Sequence, residues 1–256
     1  MFDAGPRSRV RLLLVAGLVL ASLVVLLCVP PIAQDPAYHR FADQRSMFGI
    51  ANFLNVASNL PFLLVGIAGL GAAIRPAGGE MRIAWLVLFA AIALVSVGSS
   101  YYHLAPTDGT LVWDRLPMSV GFMSLFAALV GEYVGPRLGR AILGPAVLAG
   151  IGSVAYWRLS ADLRPYAWVQ FMPLLALPAI LLLFRPRYSH QWLLLASLFG
   201  YGLAKLCERF DRPIDTLLGH VVSGHSIKHV LSALGCLCLV VLIRRRHPLA
   251  ASTEAH

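Results

Sequence analysis

The feature that most constrains the fold of this chain is a series of long apolar segments joined by short polar loops. A helix that crosses a bilayer needs about 20 predominantly apolar residues, and most of these segments are near that length. Only 13% of the residues are charged, against about 25% in soluble domains. The pattern predicts an all-α, polytopic membrane helix bundle with spans at residues 10–29, 50–74, 83–102, 116–134, 141–157, 166–184, 191–208 and 224–243.

Three arginines, Arg7, Arg9 and Arg11, stand at the start of the first apolar segment. We interpret residues 1–31 as an extra N-terminal transmembrane helix and residues 32–256 as a single seven-span domain. A cleaved signal peptide is the alternative interpretation. The run at 10–29 is longer than the apolar core of about 7–15 residues found in such peptides, which favours a retained helix.

The net charge of +9 comes almost entirely from arginine. Arginines are concentrated in alternate loops, and the clearest group is Arg244–Arg245–Arg246 after the last span. Because cytoplasmic loops carry the excess of basic residues, this distribution predicts that both termini are cytoplasmic. The charges interrupt apolar segments and do not line one soluble face, so we expect no nucleic-acid partner. The sequence leaves the oligomeric state open.

Two histidine-containing motifs lie at the ends of predicted spans. Ser99 and His103 are four residues apart at the end of the third span, and His225 and His229 have the same spacing at the start of the eighth. Residues four apart share one face of a helix. The third span runs outward and the eighth inward, so both motifs fall at the same outer depth. Three imidazoles so close to lipid predict a metal site, and zinc accepts three such ligands while leaving a fourth position open.

Two further residues have spacing suited to chemistry beside this site. Asp114 follows His103 by a short loop and opens the fourth span, where it could act as a general base. Ser99 lies one turn below His103 and could stabilise a developing oxyanion. Structural explanations also exist: Asp114 as an ordinary loop acid, and Ser99 as a donor to a carbonyl one turn back.

Other polar residues within the spans predict contacts inside the bundle. Asn52, Asn55 and Asn59 fall on one helical face, which we expect to face other helices and not lipid. We expect Lys205 to pair with Glu208 at the end of the seventh span. We expect Lys228 to extend toward the outer interface, as long basic side chains near helix ends do.

Taken together, these motifs resemble the alkaline ceramidase family, part of a wider group of seven-span zinc-dependent membrane hydrolases that includes the progestin and adiponectin receptor type. The resembling elements are Ser99-x-x-x-His103, Asp114 eleven residues on, and His225-x-x-x-His229 opening the last span. The stretch 50–59 also resembles the first core helix of the family. The resemblance covers about residues 50–243.

The resemblance implies a zinc-dependent lipid amidase that hydrolyses the N-acyl bond of a ceramide or related lipid within the membrane. It implies that His103, His225 and His229 bind Zn²⁺, while Asp114 transfers protons and Ser99 supports the water or oxyanion. Family ceramidases also carry an acidic N-terminal cluster that binds calcium. Here Arg45 follows Asp43, and Asn52 stands where an acid is expected, so the resemblance does not extend to a Ca²⁺ site.

Two other classes of function compete with the amidase. A seven-span receptor or sensor would use the same histidines for a structural zinc site. A transporter would use them to relay protons, but such a protein should carry polar residues deep in several spans, and few are visible beyond the asparagine face. The departures from the family pattern favour a bacterial inner-membrane protein with a different lipid substrate.

Overall fold

The fold is described from a computed structural model, in which residues 6–249 of the chain are described. Residues 1–5 of the predicted N-terminal helix segment and residues 250–256 of the predicted seven-span domain lie outside this range. The described α-helices are α1 (Pro6–Cys28), α2 (Phe53–Ala57), α3 (Leu60–Ala73), α4 (Arg82–Leu104), α5 (Asp108–Leu129), α6 (Pro136–Ser160), α7 (Arg164–Leu183), α8 (Trp192–Arg209), α9 (Asp211–Leu217) and α10 (Gly224–Arg245). A π-helical turn, Val130–Val134, continues α5, and short 3₁₀ helices lie at Pro36–His39 and Pro76–Met81.

The predicted helical membrane bundle is confirmed. Among the described helices, seven stretches are long and apolar enough to cross a membrane: Arg9–Cys28, Phe53–Ala73, Gly78–Leu104, Asp108–Val134, Pro136–Ser160, Arg164–Leu183 and Gly224–Arg245. The protein is therefore an integral, multi-pass membrane protein.

Of the eight predicted spans, the seventh is not among these stretches: its helix, α8, is less apolar than the others because Lys205, Glu208 and Arg209 lie in its last turns. It nevertheless runs antiparallel to α10 along its length. Glu208 near its end contacts Lys228 in the first turns of α10, and Gly200 packs on Gly235 further along. Helix α8 therefore connects the two ends of the bundle, and α10 begins at the same end as α4 finishes.

The helices pack in an order that leaves one side open. Helix α4 lies between α3 and α5, α10 packs against α3 and α8, and α7 packs against α5 and α6. Helix α1 contacts α7, where Trp168 donates to Ser22 at 3.0 Å. By contrast, α7 and α8 make only sparse backbone contact. The backbones of α7 and α8 are therefore separated by a gap, which side chains bridge in part: Gln170 of α7 donates to the Tyr201 hydroxyl of α8 at 2.6 Å.

The second predicted span is broken near its start, between α2 and α3. Asn55 in α2 and Asn59 in the break are fully buried, and Asn52 donates to the backbone carbonyl of His103 at 2.8 Å. The predicted inward-facing asparagine face is confirmed. The amide nitrogen of each of the three donates to a backbone carbonyl, which offsets part of the cost of burying them, although the Asn59 Oδ1 atom has no partner among the described residues.

Helix α5 begins eight residues before the predicted start of the fourth span. Thr107 caps its N-terminus: its hydroxyl accepts from the Thr110 amide at 3.2 Å, and the Thr110 hydroxyl accepts from the Thr107 amide at 3.0 Å. This reciprocal capping starts the helix before the apolar run does. Asp114 therefore lies within α5 and not at the opening of the span as predicted, and its position is fixed by the helix.

Candidate metal centre

Three buried histidines meet at one end of the bundle. His103 lies in the last turn of α4, and His225 and His229 lie in the first two turns of α10. Their ligand nitrogens all lie within 4.8 Å of one another. The three rings are mutually in contact, with centroids 4.9–5.0 Å apart. The structure thus brings together two motifs that are more than 100 residues apart in the chain.

The spacing of two of these nitrogens suits a tetrahedral metal ion. The Nε2 atoms of His103 and His225 are 3.4 Å apart. Ligand nitrogens at about 2.0–2.1 Å from a tetrahedral zinc ion lie about 3.4 Å from each other. A cluster of three imidazoles with no carboxylate among them is a donor set that zinc and other borderline transition metals accept. The residues present therefore fit a metal ion.

Hydrogen bonding orients His229 for such a role. Its Nδ1 atom lies 2.8 Å from the Ser58 hydroxyl, and that hydroxyl donates to the Asn55 carbonyl at 3.2 Å. When the serine proton goes to the carbonyl, the serine oxygen can accept from Nδ1 of His229, and in that tautomer Nε2 keeps a free lone pair. A second ring nitrogen held in this way is the usual support of a metal-binding histidine. Ser58 was not singled out from the sequence, although it lies in the polar break between α2 and α3.

The N-terminus of α10 is held by residues from three other segments. Asp211 accepts from the His225 amide at 2.7 Å and from the Ala42 amide at 2.8 Å. Gly224 lets the first turn of α10 approach the end of α8 and Asp211, because a Cβ there would lie 2.4 Å from the Cys207 carbonyl oxygen and 2.9 Å from the Asp211 Cα. The Ser226 hydroxyl donates to the Asn55 side chain at 2.9 Å. These contacts fix the first turn of α10, and with it both of its histidines.

An aromatic ring covers the histidine cluster. Phe41 is 3% exposed, and its ring centroid lies 4.7 Å from that of His103 and 4.6 Å from that of His225. It belongs to the segment between α1 and α2, which crosses this end of the bundle. Sequence analysis did not identify Phe41, because nothing local to it indicates the partner helices.

Ser99 and Asp114 lie side by side next to this cluster. Gly98 allows α4 and α5 to touch: a Cβ at Gly98 would lie only 2.0 Å from the Trp113 carbonyl oxygen and 3.3 Å from the Asp114 amide. This close approach brings Ser99 of α4 next to Asp114 of α5, and both residues line the same cavity. Ser99 is buried and Asp114 is half-buried.

A cavity of about 350 Å³ joins these residues to the gap between α7 and α8. Ser99, Asp114 and His229 line its polar end, and the rest is predominantly apolar. Phe171 of α7 lines the cavity although 45% of its surface is exposed. The cavity therefore reaches the side of the bundle that would face lipid, and its predominantly apolar lining suits an acyl chain.

A second charged group lines the same polar end. Glu208 pairs with Lys205 at 2.7 Å, as predicted, and also with Lys228. The prediction that Lys228 extends to the interface is wrong: its side chain is only 15% exposed, because Glu208 on the antiparallel α8 draws it inward. Tyr38 donates to Glu208 at 3.2 Å. Burial raises the pKa of Tyr38 well above its usual range, so this phenol keeps its proton.

Asp43, an acid in the segment between α1 and α2, uses its carboxylate to pair with Arg45. Arg45 donates to both of its carboxylate oxygens, at 2.9 and 2.7 Å, and through its backbone amide at 3.0 Å. These hydrogen bonds hold the pKa of Asp43 below its usual range.

Comparison of the sequence with protein-family models and with curated proteins found no match. The assignment of function therefore rests on the geometry of the histidine cluster and its cavity.

Proposed function

We propose that the protein is a zinc-dependent intramembrane lipid amidase, similar to the alkaline ceramidases, that hydrolyses the N-acyl bond of a ceramide or related lipid. The observation that carries the proposal is the position of the three histidines. They form a metal-binding set at the polar end of an apolar, lipid-facing cavity, beside a carboxylate and a hydroxyl. A purely structural metal would not require that cavity or that carboxylate.

His103, His225 and His229 would hold the metal, which we propose is zinc. When bound, it would polarise the substrate carbonyl and make water more acidic. The cavity would hold the acyl chain between α7 and α8 with the amide next to Asp114. Since the cavity opens to the side, the lipid would enter without leaving the bilayer.

In the reaction, water adds to the amide carbonyl carbon, the C–N bond breaks, and a fatty acid and an amine are released. Asp114 accepts a proton from the attacking water on its carboxylate and returns it to the leaving nitrogen. Ser99 donates its hydroxyl hydrogen bond to Asp114 or to the developing oxyanion, which keeps both groups in position.

We further propose that the protein resides in a bacterial inner membrane, with both termini cytoplasmic and the histidine end toward the outer side. The arginine distribution supports this orientation. The lipid would then be drawn from the outer leaflet.

The test is an assay of purified protein for metal content and for release of fatty acid from N-acyl lipids in mixed micelles. The proposal expects about one zinc ion per chain and release that stops when a chelator removes the metal. Bound zinc with no release from any N-acyl lipid would support the alternative, a seven-span receptor or sensor with a structural zinc site.

A further inference from the structure

Arg115, one residue after Asp114, is a buried cation in the wall of the same cavity. It is 5% exposed, and its guanidinium lies 4.1 Å from the Trp157 ring centroid and 4.7 Å from that of Tyr166. Its Nη2 atom donates to Gln34 at 2.6 Å. Among the described residues, its Nη1 atom has no hydrogen-bond partner and no carboxylate forms an ion pair with it.

Burying such a guanidinium costs free energy unless a further group accepts its unused hydrogen bond and balances its charge. Leaving a buried charged donor unsatisfied carries the desolvation penalty of that group. Stacking on aromatic rings offsets part of it through cation–π attraction. The fork of donors that remains is the arrangement that binds carboxylate and phosphate groups.

The charges near Arg115 also favour binding of an anionic group. Arg115, Lys205 and Lys228 all line the polar end of the cavity, with Glu208 and Asp114 as the carboxylates. Glu208 is shared by the two lysines. Asp114, in the proposed reaction, loses its charge whenever it holds the transferred proton. Positive charge is therefore in excess around the place where a lipid headgroup would lie.

We propose that Arg115 anchors an anionic headgroup, so that the substrate class is an N-acyl lipid that bears a carboxylate or phosphate near its amide. This inference rests on the proposed amidase function and names the substrate class of the same site. It separates this protein from enzymes that act on neutral ceramides.

The test compares lipids that share one acyl chain and differ in headgroup. N-palmitoylglycine carries a carboxylate, N-palmitoylethanolamine is neutral, and the O-phosphate of the latter carries a phosphate. Wild-type protein should hydrolyse at least one anionic lipid with a kcat/KM about tenfold or more above that of the neutral lipid. Which anionic lipid is preferred distinguishes carboxylate from phosphate recognition.

Substitutions of Arg115 separate a role in headgroup recognition from a role in folding. Arg115→Gln should lower kcat/KM for the preferred anionic lipid about tenfold more than for the neutral one, and Arg115→Lys should restore part of the difference. Arg158→Gln, at an exposed arginine next to Trp157, should change neither value. Equal turnover of charged and neutral lipids by wild-type protein, or equal loss for both in Arg115→Gln, would overturn the proposal.

Equilibrium binding of the same lipids to the Asp114→Asn protein makes the test independent of turnover. Tighter binding of an anionic lipid, lost in Asp114→Asn/Arg115→Gln, would support the subsite even if no lipid is hydrolysed, and only the amidase proposal would then fail. Equal binding of all three lipids would overturn the subsite.

Discussion

The two ends of the bundle both bury charged side chains, but they differ in whether those side chains have hydrogen-bond and ion-pair partners. At the end opposite the histidines, Glu132 accepts from Trp85 at 2.6 Å and pairs with Arg246. Arg246 also stacks on Tyr188 and donates to the Gly78 carbonyl at 3.1 Å. At the histidine end, Arg115 lines the cavity and has a buried nitrogen, Nη1, with no hydrogen-bond partner among the described residues.

We interpret this contrast as one between groups that stabilise the fold and groups that are available to a ligand. A buried polar network in which each member is bonded can hold helices together by itself. Unsatisfied donors and acceptors beside a cavity are costly in isolation, and a ligand would remove that cost. The following predictions test whether the two ends differ in this way, and they are ordered from the largest expected effect to the smallest.

Removing one imidazole should abolish metal binding. We expect His229→Ala to reduce bound metal from about one ion per chain to nearly none, because a site with two protein ligands is far weaker than one with three. Elemental analysis of the purified protein measures this. His220→Ala is the matched control, since His220 lies near the same end but pairs with Asp215 outside the cluster. Full metal content in His229→Ala would show that the cluster is not the site.

Neutralising the proposed base should abolish turnover while leaving the metal in place. We expect Asp114→Asn to lower kcat by about 10²–10⁴-fold, the usual contribution of a general base. Asp108→Asn, in the exposed first turn of the same helix, should have little effect. If Asp114→Asn retained wild-type turnover, the proton-transfer role would be wrong.

Breaking the ion pair at the opposite end should reduce stability and not metal content. We expect Glu132→Ala to destabilise the protein by about 3–5 kcal/mol, because it leaves Arg246 buried without its carboxylate. The apparent Tm in detergent measures this loss. Glu80→Ala removes an exposed pair with Arg140 and should cost about 0–1 kcal/mol. Loss of metal in Glu132→Ala at temperatures where it stays folded would contradict the division between the two ends.

Removing the hydroxyl that orients His229 should weaken the metal site without destroying it. We expect Ser58→Ala to lower metal affinity by about 10–100-fold, as is typical for the partner of a ligating histidine. Competition with a chelator of known affinity measures the change. Ser100→Ala, on the facing helix, should leave the affinity unaltered. An unchanged affinity in Ser58→Ala would mean that packing alone orients the ring.

Sequence analysis predicted those parts of the site that depend on periodicity along one helix. The i, i+4 spacing placed His225 beside His229, and the number of intervening spans placed His103 at the same depth. The asparagine face and the Lys205–Glu208 pair follow from the same kind of reasoning.

The residues that sequence analysis missed are those whose partners come from another helix. Lys228 turns inward only because Glu208 faces it from α8, and Arg115 is recognisable only when its aromatic neighbours on α6 and α7 are known. The start of α5 was also missed, because capping by Thr107 and not hydrophobicity fixes it. Local patterns thus locate the ligands, while the surrounding contacts depend on tertiary packing.

The smallest effect we predict is a dependence of stability on pH at the segment that covers the histidine end. Hydrogen bonds from Arg45 lower the pKa of Asp43 in the folded protein, relative to about 3.9 in the unfolded chain. A carboxyl with a depressed folded pKa contributes stability above its unfolded pKa, and this contribution is lost as the pH falls through the folded value. The apparent Tm of wild-type protein should therefore exceed that of Asp43→Asn at neutral pH, and the difference should shrink below about pH 4. Comparing the two proteins at each pH cancels the titration of all other groups, so a difference that stays constant or grows on acidification would show that the Asp43–Arg45 pair does not stabilise this segment.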